Sequence, residues 1–340
     1  RCNPALTASW KAQVELFRSS RREQDALQAE AQLRRVKSLP RDLLAVTNLI
    51  HEGKLQKAED ICRAYLQKNP QDVEAMRLLA EIGERFGVYQ DAEFLLESAV
   101  AFEPENVQLR IDYIRVLRKR QKFEAALSQA RHLYDQDPQN PLFQSHLAIE
   151  SMQVGNHETA FEMFDRVLDR FPADPATLTS RGHALKTFGR QEEAVESYRA
   201  ACRAAPDHGD AFHSLANLKT YSFSDAEIRS MEAQVSQPGL LHMHRIYFCF
   251  ALGKAFESRK EYDRSFEYYQ QGNDLKRSQA RYKPEQMTAE LQAQIDVCSS
   301  ELFEKQAGNG LPAPDPIFIV GLPRAGSTLL EQILASHSLI

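Results

Sequence analysis

The chain has 340 residues, 43% of them hydrophobic and 26% charged, with a formal net charge of −5. An acidic balance gives no support for general nucleic-acid binding, which shows as a basic excess, and no apolar run reaches the roughly twenty residues that a bilayer span needs. Five cysteines, an odd number without a Cys-x-x-Cys pair, argue against a disulfide framework or a structural zinc.

In chain order, residues 1–38 carry only a poor pattern. Trp10, Val14, Phe17, Leu27, Leu33 and Val36 fit either an N-terminal helical cap or a degenerate first repeat, and both readings stay open. Residues 39–222 behave as a ruler. Gly53, Gly87, Gln121, Gly155 and Gly189 stand thirty-four residues apart, and five residues after each comes Ala58, Ala92, Ala126, Ala160 or Ala194. Nine after stands Cys62, Leu96, Ala130, Phe164 or Tyr198, and seventeen after, each register ends at Pro70, Pro104, Pro138, Pro172 or Pro206. The small Ala lets two helices approach closely, and the proline stops the second helix. Period and pattern are those of the tetratricopeptide repeat, a helix–turn–helix unit that buries its apolar face only by stacking on its neighbours.

Residues 223–305 hold a degenerate repeat and closing helices. Phe212, Leu215 and Ala216 keep the register, Ser224-Asp225-Ala226-Glu227 then offers a capping box, and Leu252, Gly253, Phe256, Ser265 and Tyr269 restore the repeat. Pro284 opens a last helix whose Met287, Leu291, Ile295, Leu302 and Phe303 fall on one stripe, expected to close the solenoid. Residues 306–315 form a linker through Gly308-Asn309-Gly310 and Pro312.

Residues 316–340 change character. Ile317 to Val320 form a β-branched and aromatic run suited to a buried strand, and Leu329, Leu330, Ile333 and Leu334 recur with helical spacing. Between them Gly321 and Gly326 remove the Cβ obstacle, so backbone N–H groups can close on an anion at a helix N-terminus. The spacing nearly matches the nucleotide P-loop, but Ser327 stands where that loop has Lys, and the cation has moved to Arg324. A planar Arg fork suits a phosphate or phosphosulfate. Glu331, one turn along, reads as a solvated or helix-pairing residue rather than a general base.

The run Ile-Phe-Ile-Val-Gly-Leu-Pro-Arg-Ala-Gly-Ser-Thr-Leu-Leu-Glu-Gln-Ile-Leu-Ala-Ser-His resembles the 5′-phosphosulfate loop of sulfotransferases, particularly the branch related to tyrosylprotein sulfotransferases, where Pro-Arg-Ser-Gly-Thr-Thr is usual. Ala325 and Ser327 depart from it conservatively. With the repeats and the stretch from Ala216 to Glu227 and Phe250 to Ala255, the likeness is to bacterial tetratricopeptide-repeat sulfotransferases over roughly residues 40 to 340. The implied fold is mostly α: a tetratricopeptide α-solenoid, then the first strand, loop and helix of a P-loop-like α/β sulfotransferase domain. The resemblance implies 3′-phosphoadenylyl sulfate as sulfate donor, held by Pro323, Arg324, Ala325, Gly326, Ser327 and Thr328, with Arg324 also catalytic and no metal required. That family's 3′-phosphate site and catalytic carboxylate are expected beyond Ile340, so this chain is expected to bind the donor weakly and transfer no sulfate.

Counting from the glycine register puts Arg115, Arg118, His183 and Lys186 on the concave wall, a groove for an acidic peptide or else solvated charges. Glu74, Glu81 and Glu84 lie on the preceding repeat. His242 and His244, two apart on a helix, make a poor metal pair, and Cys62 and Cys202 read as small core residues. With no signal-peptide pattern the expected location is cytoplasmic, although the absent initiator Met leaves the true N-terminus and any targeting segment open. Two functions follow: a sulfotransferase whose repeats present a protein or peptide, or a repeat scaffold whose terminal loop binds phosphate without chemistry.

Overall fold

The corner of each helix pair is where the backbone is most demanding. Gly53, Gly87, Gly155 and Gly189 turn there with φ of 75°, 81°, 81° and 87°, a left-handed region that a Cβ opposes. Gln121 and Lys260 take the same turn, at φ 59° and 63°, without glycine's freedom.

The computed structural model describes all residues but 1, 2, 4, 21, 22, 219, 280, 281, 311, 312, 314, 339 and 340, so Cys2 and Pro312 lie outside the described residues. It divides into two compact units, residues 1–276 and 277–340. The first opens with α1 (Thr7–Ser19) and α2 (Glu23–Ser38), packed on each other. Val14 and Val36 are buried there as expected, whereas Leu27 is exposed; Ala26 and Ala29 fill the contact instead, because small residues let the helices close. Five pairs follow: α3 (Arg41–His51) with α4 (Leu55–Lys68), α5 (Val73–Phe86) with α6 (Tyr89–Phe102), α7 (Val107–Lys119) with α8 (Phe123–Gln136), α9 (Pro141–Gln153) with α10 (His157–Arg170), and α11 (Pro175–Thr187) with α12 (Gln191–Ala204). Each second helix also packs on the first helix of the next pair. α13 (Gly209–Ala216), α14 (Asp225–Val235), α15 (His242–Ser258) and α16 (Tyr262–Arg277) continue the stack.

Local chemistry repeats with the same period. Asp72, Asn106, Asn140 and Asp174, thirty-four apart, each accept a backbone N–H of the following first turn, the ordinary N-cap arrangement. Ala58, Ala92, Ala126, Ala160 and Ala194 have no exposed surface. Within each pair, two facing positions trade volume: Ala80 with Leu96, Ile114 with Ala130, Ala148 with Phe164, Gly182 with Tyr198, Gly253 with Tyr269. A Cβ on Gly182 would lie 2.5 Å from the Tyr198 ring, so the large aromatic fits only because that glycine faces it. The irregular region is organised by the expected capping box, in which Ser224 and Glu227 hold each other's backbone. Phe223, Ile228 and Met231 then join Phe248 and Leu252 in the terminal core.

The second unit holds α17 (Pro284–Val297), α18 (Ser300–Lys305) and α19 (Ser327–Ala335). One expectation is corrected here. Residues 317–320 are not a strand, and no strand occurs among the described residues; Phe318 and Val320 are 85% and 91% exposed. A strand requires a neighbour to pair its N–H and C=O groups, which composition alone does not supply. Within this unit α17 and α18 bury no residue, and Met287, Leu291, Ile295 and Phe303 are exposed.

Candidate functional site

The terminal loop is the first candidate. Ala325 N–H donates to the Leu322 carbonyl at 3.1 Å, closing a tight turn over Pro323 and Arg324. Arg324 sits at φ 69° and Gly326 at φ 85°; a bulky residue in the left-handed region is a conformation that costs free energy and marks candidate functional positions. Gly326 caps α19 without a side-chain hydrogen bond. The first intrahelical bond runs from Leu330 N–H to the Gly326 carbonyl, so the N–H groups of Gly326, Ser327, Thr328 and Leu329 have no acceptor among the described residues. The Ser327 and Thr328 hydroxyls and the Arg324 guanidinium likewise have no partner among them, and residues 321–330 are all exposed. Pro323 and Ala325 contribute only backbone shape. Unpaired amides at a positive helix end, two hydroxyls and a guanidinium form a donor set without an acceptor, which suits an oxyanion of phosphate or sulfate type.

The repeat wall is the second. Arg115 and Arg118, placed by the register on the wall as a peptide groove or else as solvated charges, are ion-paired to neighbouring repeats. Arg115 bridges Glu84 at 2.8 Å and Asp112 at 2.9 Å. Arg77 joins Glu74 and Asp112, and Arg35 of α2 closes the ladder on Glu74. Opposite charges at facing first-helix positions find each other before any ligand does. Arg118 is held by Glu150, whose side chain has no exposed surface and whose second oxygen lacks a partner. Burial pushes the Glu150 carboxyl up despite Arg118, and burial with the Arg118 charge pushes His146 down to about 4. His183 is not a cation near neutrality either: burial lowers its pKa, and its Nδ1 lies 3.0 Å from the Tyr198 hydroxyl. Lys186 is exposed and has no ion-pair partner among the described residues.

Beyond Lys186 the wall changes chemistry, which the residue-by-residue reading missed. Asp210 and His213 occupy on α13 the register of Glu74 and Arg77 on α5. The His213 ring lies 5.1 Å from that of Tyr247 and 6.2 Å from that of Phe250. Asp210 makes no hydrogen bond or ion pair among the described residues, yet its charge bears on His183, His208, His213, Tyr198 and Tyr247. The thirty-four-residue period was the signal that could have found it. His244 and His242 serve the fold: Gly209 N–H donates to His244 Nδ1 at 2.9 Å, and His242 Nε2 lies 3.3 Å from the Leu275 carbonyl. Cys62 is fully buried and its thiol pushed up to about 12 by burial.

Residues 86–149 and 146–208 match the tetratricopeptide repeat. The helix pairs between residues 86 and 208 are tetratricopeptide repeats. Residues 316–340 match the sulfotransferase family, over that short stretch alone. An uncharacterized protein of Aquifex aeolicus (strain VF5) is 32% identical over 181 residues, 53% of this chain and 23% of that protein. The human protein O-mannosyl-transferase TMTC1 is 25% identical over 138 residues, 39% of this chain and 16% of that protein. This chain therefore spans less than a quarter of either relative. A solved tetratricopeptide repeat protein from Parabacteroides merdae, 18% identical, superposes with a TM-score of 0.50 over 73% of this chain and 95% of its own, a likeness of fold. No described helix is long and apolar enough to cross a membrane.

Proposed function

We propose that this chain belongs to a repeat-containing sulfotransferase that moves a sulfuryl group from 3′-phosphoadenylyl sulfate to a hydroxyl acceptor, with the repeats binding a protein or peptide. The observation that carries this reading is the donor set at the start of α19, unpaired N–H groups beside a partnerless Arg324, lying within the residues that match the sulfotransferase family. That set fits the donor's 5′-phosphosulfate: N–H groups of Gly326 to Leu329 and the Ser327 and Thr328 hydroxyls hold oxygens, and Arg324 faces the charge that develops on the transferred group. When bound, the donor supplies an activated sulfur–oxygen bond that breaks as the acceptor oxygen bonds to sulfur; the acceptor proton leaves to a base, and 3′-phosphoadenosine 5′-phosphate departs. Protein tyrosine is one acceptor this reading allows.

One observation favours the second reading, a repeat scaffold with a phosphate-binding loop. Residues 321–330 are exposed within their unit, whereas sulfuryl transfer needs water kept out. Supplying the donor and a panel of tyrosine peptides and sugar alcohols to a longer protein that carries the downstream carboxylate and 3′-phosphate site this reading requires, and weighing the acceptors by mass spectrometry, separates the two. Sulfated acceptor that disappears with Arg324→Ala supports the transferase; sulfation untouched by Arg324→Ala contradicts the loop's assignment, and nucleotide binding without sulfation leaves the scaffold reading.

A further inference from the structure

Carboxylates on the first helices of the repeats are almost all spoken for. Glu74 lies between Arg35 and Arg77, Asp112 between Arg77 and Arg115, Glu84 on Arg115, Glu81 on Arg85 at 2.9 Å, Glu150 on Arg118, and Glu257 on Lys254 at 3.2 Å. Asp210 stands in the register of Glu74 and is unpaired among the described residues. Its charge bears on the imidazoles and phenols of His183, His208, His213 and Tyr247. His213, one helical turn along α13, adjoins Tyr247 and Phe250 of α15, and Tyr247 also adjoins His244 with ring centroids 6.5 Å apart. Gly209 permits this: a Cβ there would lie 2.5 Å from the His244 carbonyl oxygen, so α13 and α15 come together at the residue before Asp210.

A half-buried carboxylate with no ion-pair partner among the described residues, whose charge bears on a neighbouring His213 and Tyr247 ring pair, is complementary to an ammonium or guanidinium, which pairs with the carboxylate while resting its charge on the rings. We infer that the wall at α13 and α15 binds a peptide through a Lys or Arg side chain docked between Asp210 and the rings of His213 and Tyr247. This rests on the reading of the repeats as peptide-binding and reverses the charge expected of the ligand at this point, since Arg115 and Arg118 are consumed by Glu84, Asp112 and Glu150. Lys186, on α11, leaves room for an acidic residue at another position of the same peptide.

Asp210 also lies in the first turn of α13, where a helix dipole favours a carboxylate. That role would appear in stability and not in ligand choice. Protonation supplies a second signature. His183 faces Asp210 and Lys186; His208 faces His244, Asp210, Asp207 and Asp174; His213 faces Asp210 and His183. All three are held neutral by burial at pH 7 and gain charge only in more acidic solution. Their protons would then compensate Asp210 and compete with the ligand's cation.

The test is selection of a displayed library of random nonapeptides on the purified chain, repeated with Asp210→Asn and Asp210→Lys after circular dichroism and melting show both folded. Selected peptides are expected to share one Lys or Arg position. Their affinity is expected to fall about tenfold or more with Asp210→Asn, as loss of a charged hydrogen bond implies, and to weaken as the solution is made more acidic than the ordinary imidazole value. Asp210→Lys is expected to select an acidic residue at the same position. Peptides without a shared basic position, or basic peptides indifferent to both variants, overturn the inference while leaving peptide binding intact. Failure to select any peptide overturns the peptide-binding reading itself. Should Asp210→Lys not fold, Asp210→Asn with the pH series decides alone.

Discussion

Glu150 is the residue least at home in its position. The same register carries Ile82, Val116 and Ala184, all buried, so a carboxylate stands in an inter-repeat seam that is otherwise apolar. Arg118 satisfies one of its oxygens and itself keeps 35% of its side chain exposed. A buried ion pair of this kind often contributes less than packed hydrophobic residues would, because desolvation offsets the attraction. The Glu150 pKa is raised, so its favourable contribution is full only below the ordinary carboxylate value and is lost as pH rises through the raised one. Glu150→Leu is accordingly expected to be neutral or stabilising by up to about 2 kcal/mol at pH 7, with Arg118 turning to solvent and the gain shrinking in acid. Urea unfolding at several pH values measures this. A loss of several kcal/mol at pH 7 would show that the pair holds the third and fourth repeats together.

At the scale of the helix pair, volume exchange across facing positions does the organising. Gly182 against Tyr198 and Gly253 against Tyr269 are the extreme cases, and Ile114 against Ala130 the reverse. Gly182→Ala should improve helix propensity yet destabilise by about 1–3 kcal/mol, since the Tyr198 ring is fully buried and its hydroxyl meets His183. Pairing it with Tyr198→Leu, which mimics Ala80 with Leu96, is expected to recover part of the loss in thermal unfolding. Additive losses in the double variant would show that the two positions do not share one space. Much of this was legible from residues alone: glycine at left-handed corners, alanine at helix crossings and the capping box at Ser224 each have one local cause. What was not legible depended on partners distant in sequence. Arg115 reads as a groove cation until Glu84, thirty-one residues earlier, is placed beside it. Ile317 to Val320 has strand composition, but a strand is a property of a pair. The stripe from Met287 to Phe303 announces an amphipathic helix without saying whether anything covers it.

The molecule as a whole combines two units with opposite physical character. In the repeats, most charges on the first helices are answered within the chain and the apolar faces form continuous cores; among the described residues of the second unit the large apolar side chains and the donor groups of the loop are exposed. Self-satisfied repeats fold through their neighbours and tolerate changes at the far end of the chain, whereas an unsatisfied loop is defined by what it binds. Of the loop residues expected from the sequence, Arg324, Ser327 and Thr328 are exposed beside the start of α19, where the first N–H groups have no acceptor among the described residues. Calorimetric titration of 3′-phosphoadenosine 5′-phosphate into this chain and into Arg324→Ala tests that most directly. Weak but saturable binding, lost with Arg324→Ala while repeat melting stays unchanged, is the expected result; binding of equal strength in both proteins, or none in either, would contradict the assignment of the loop to the donor.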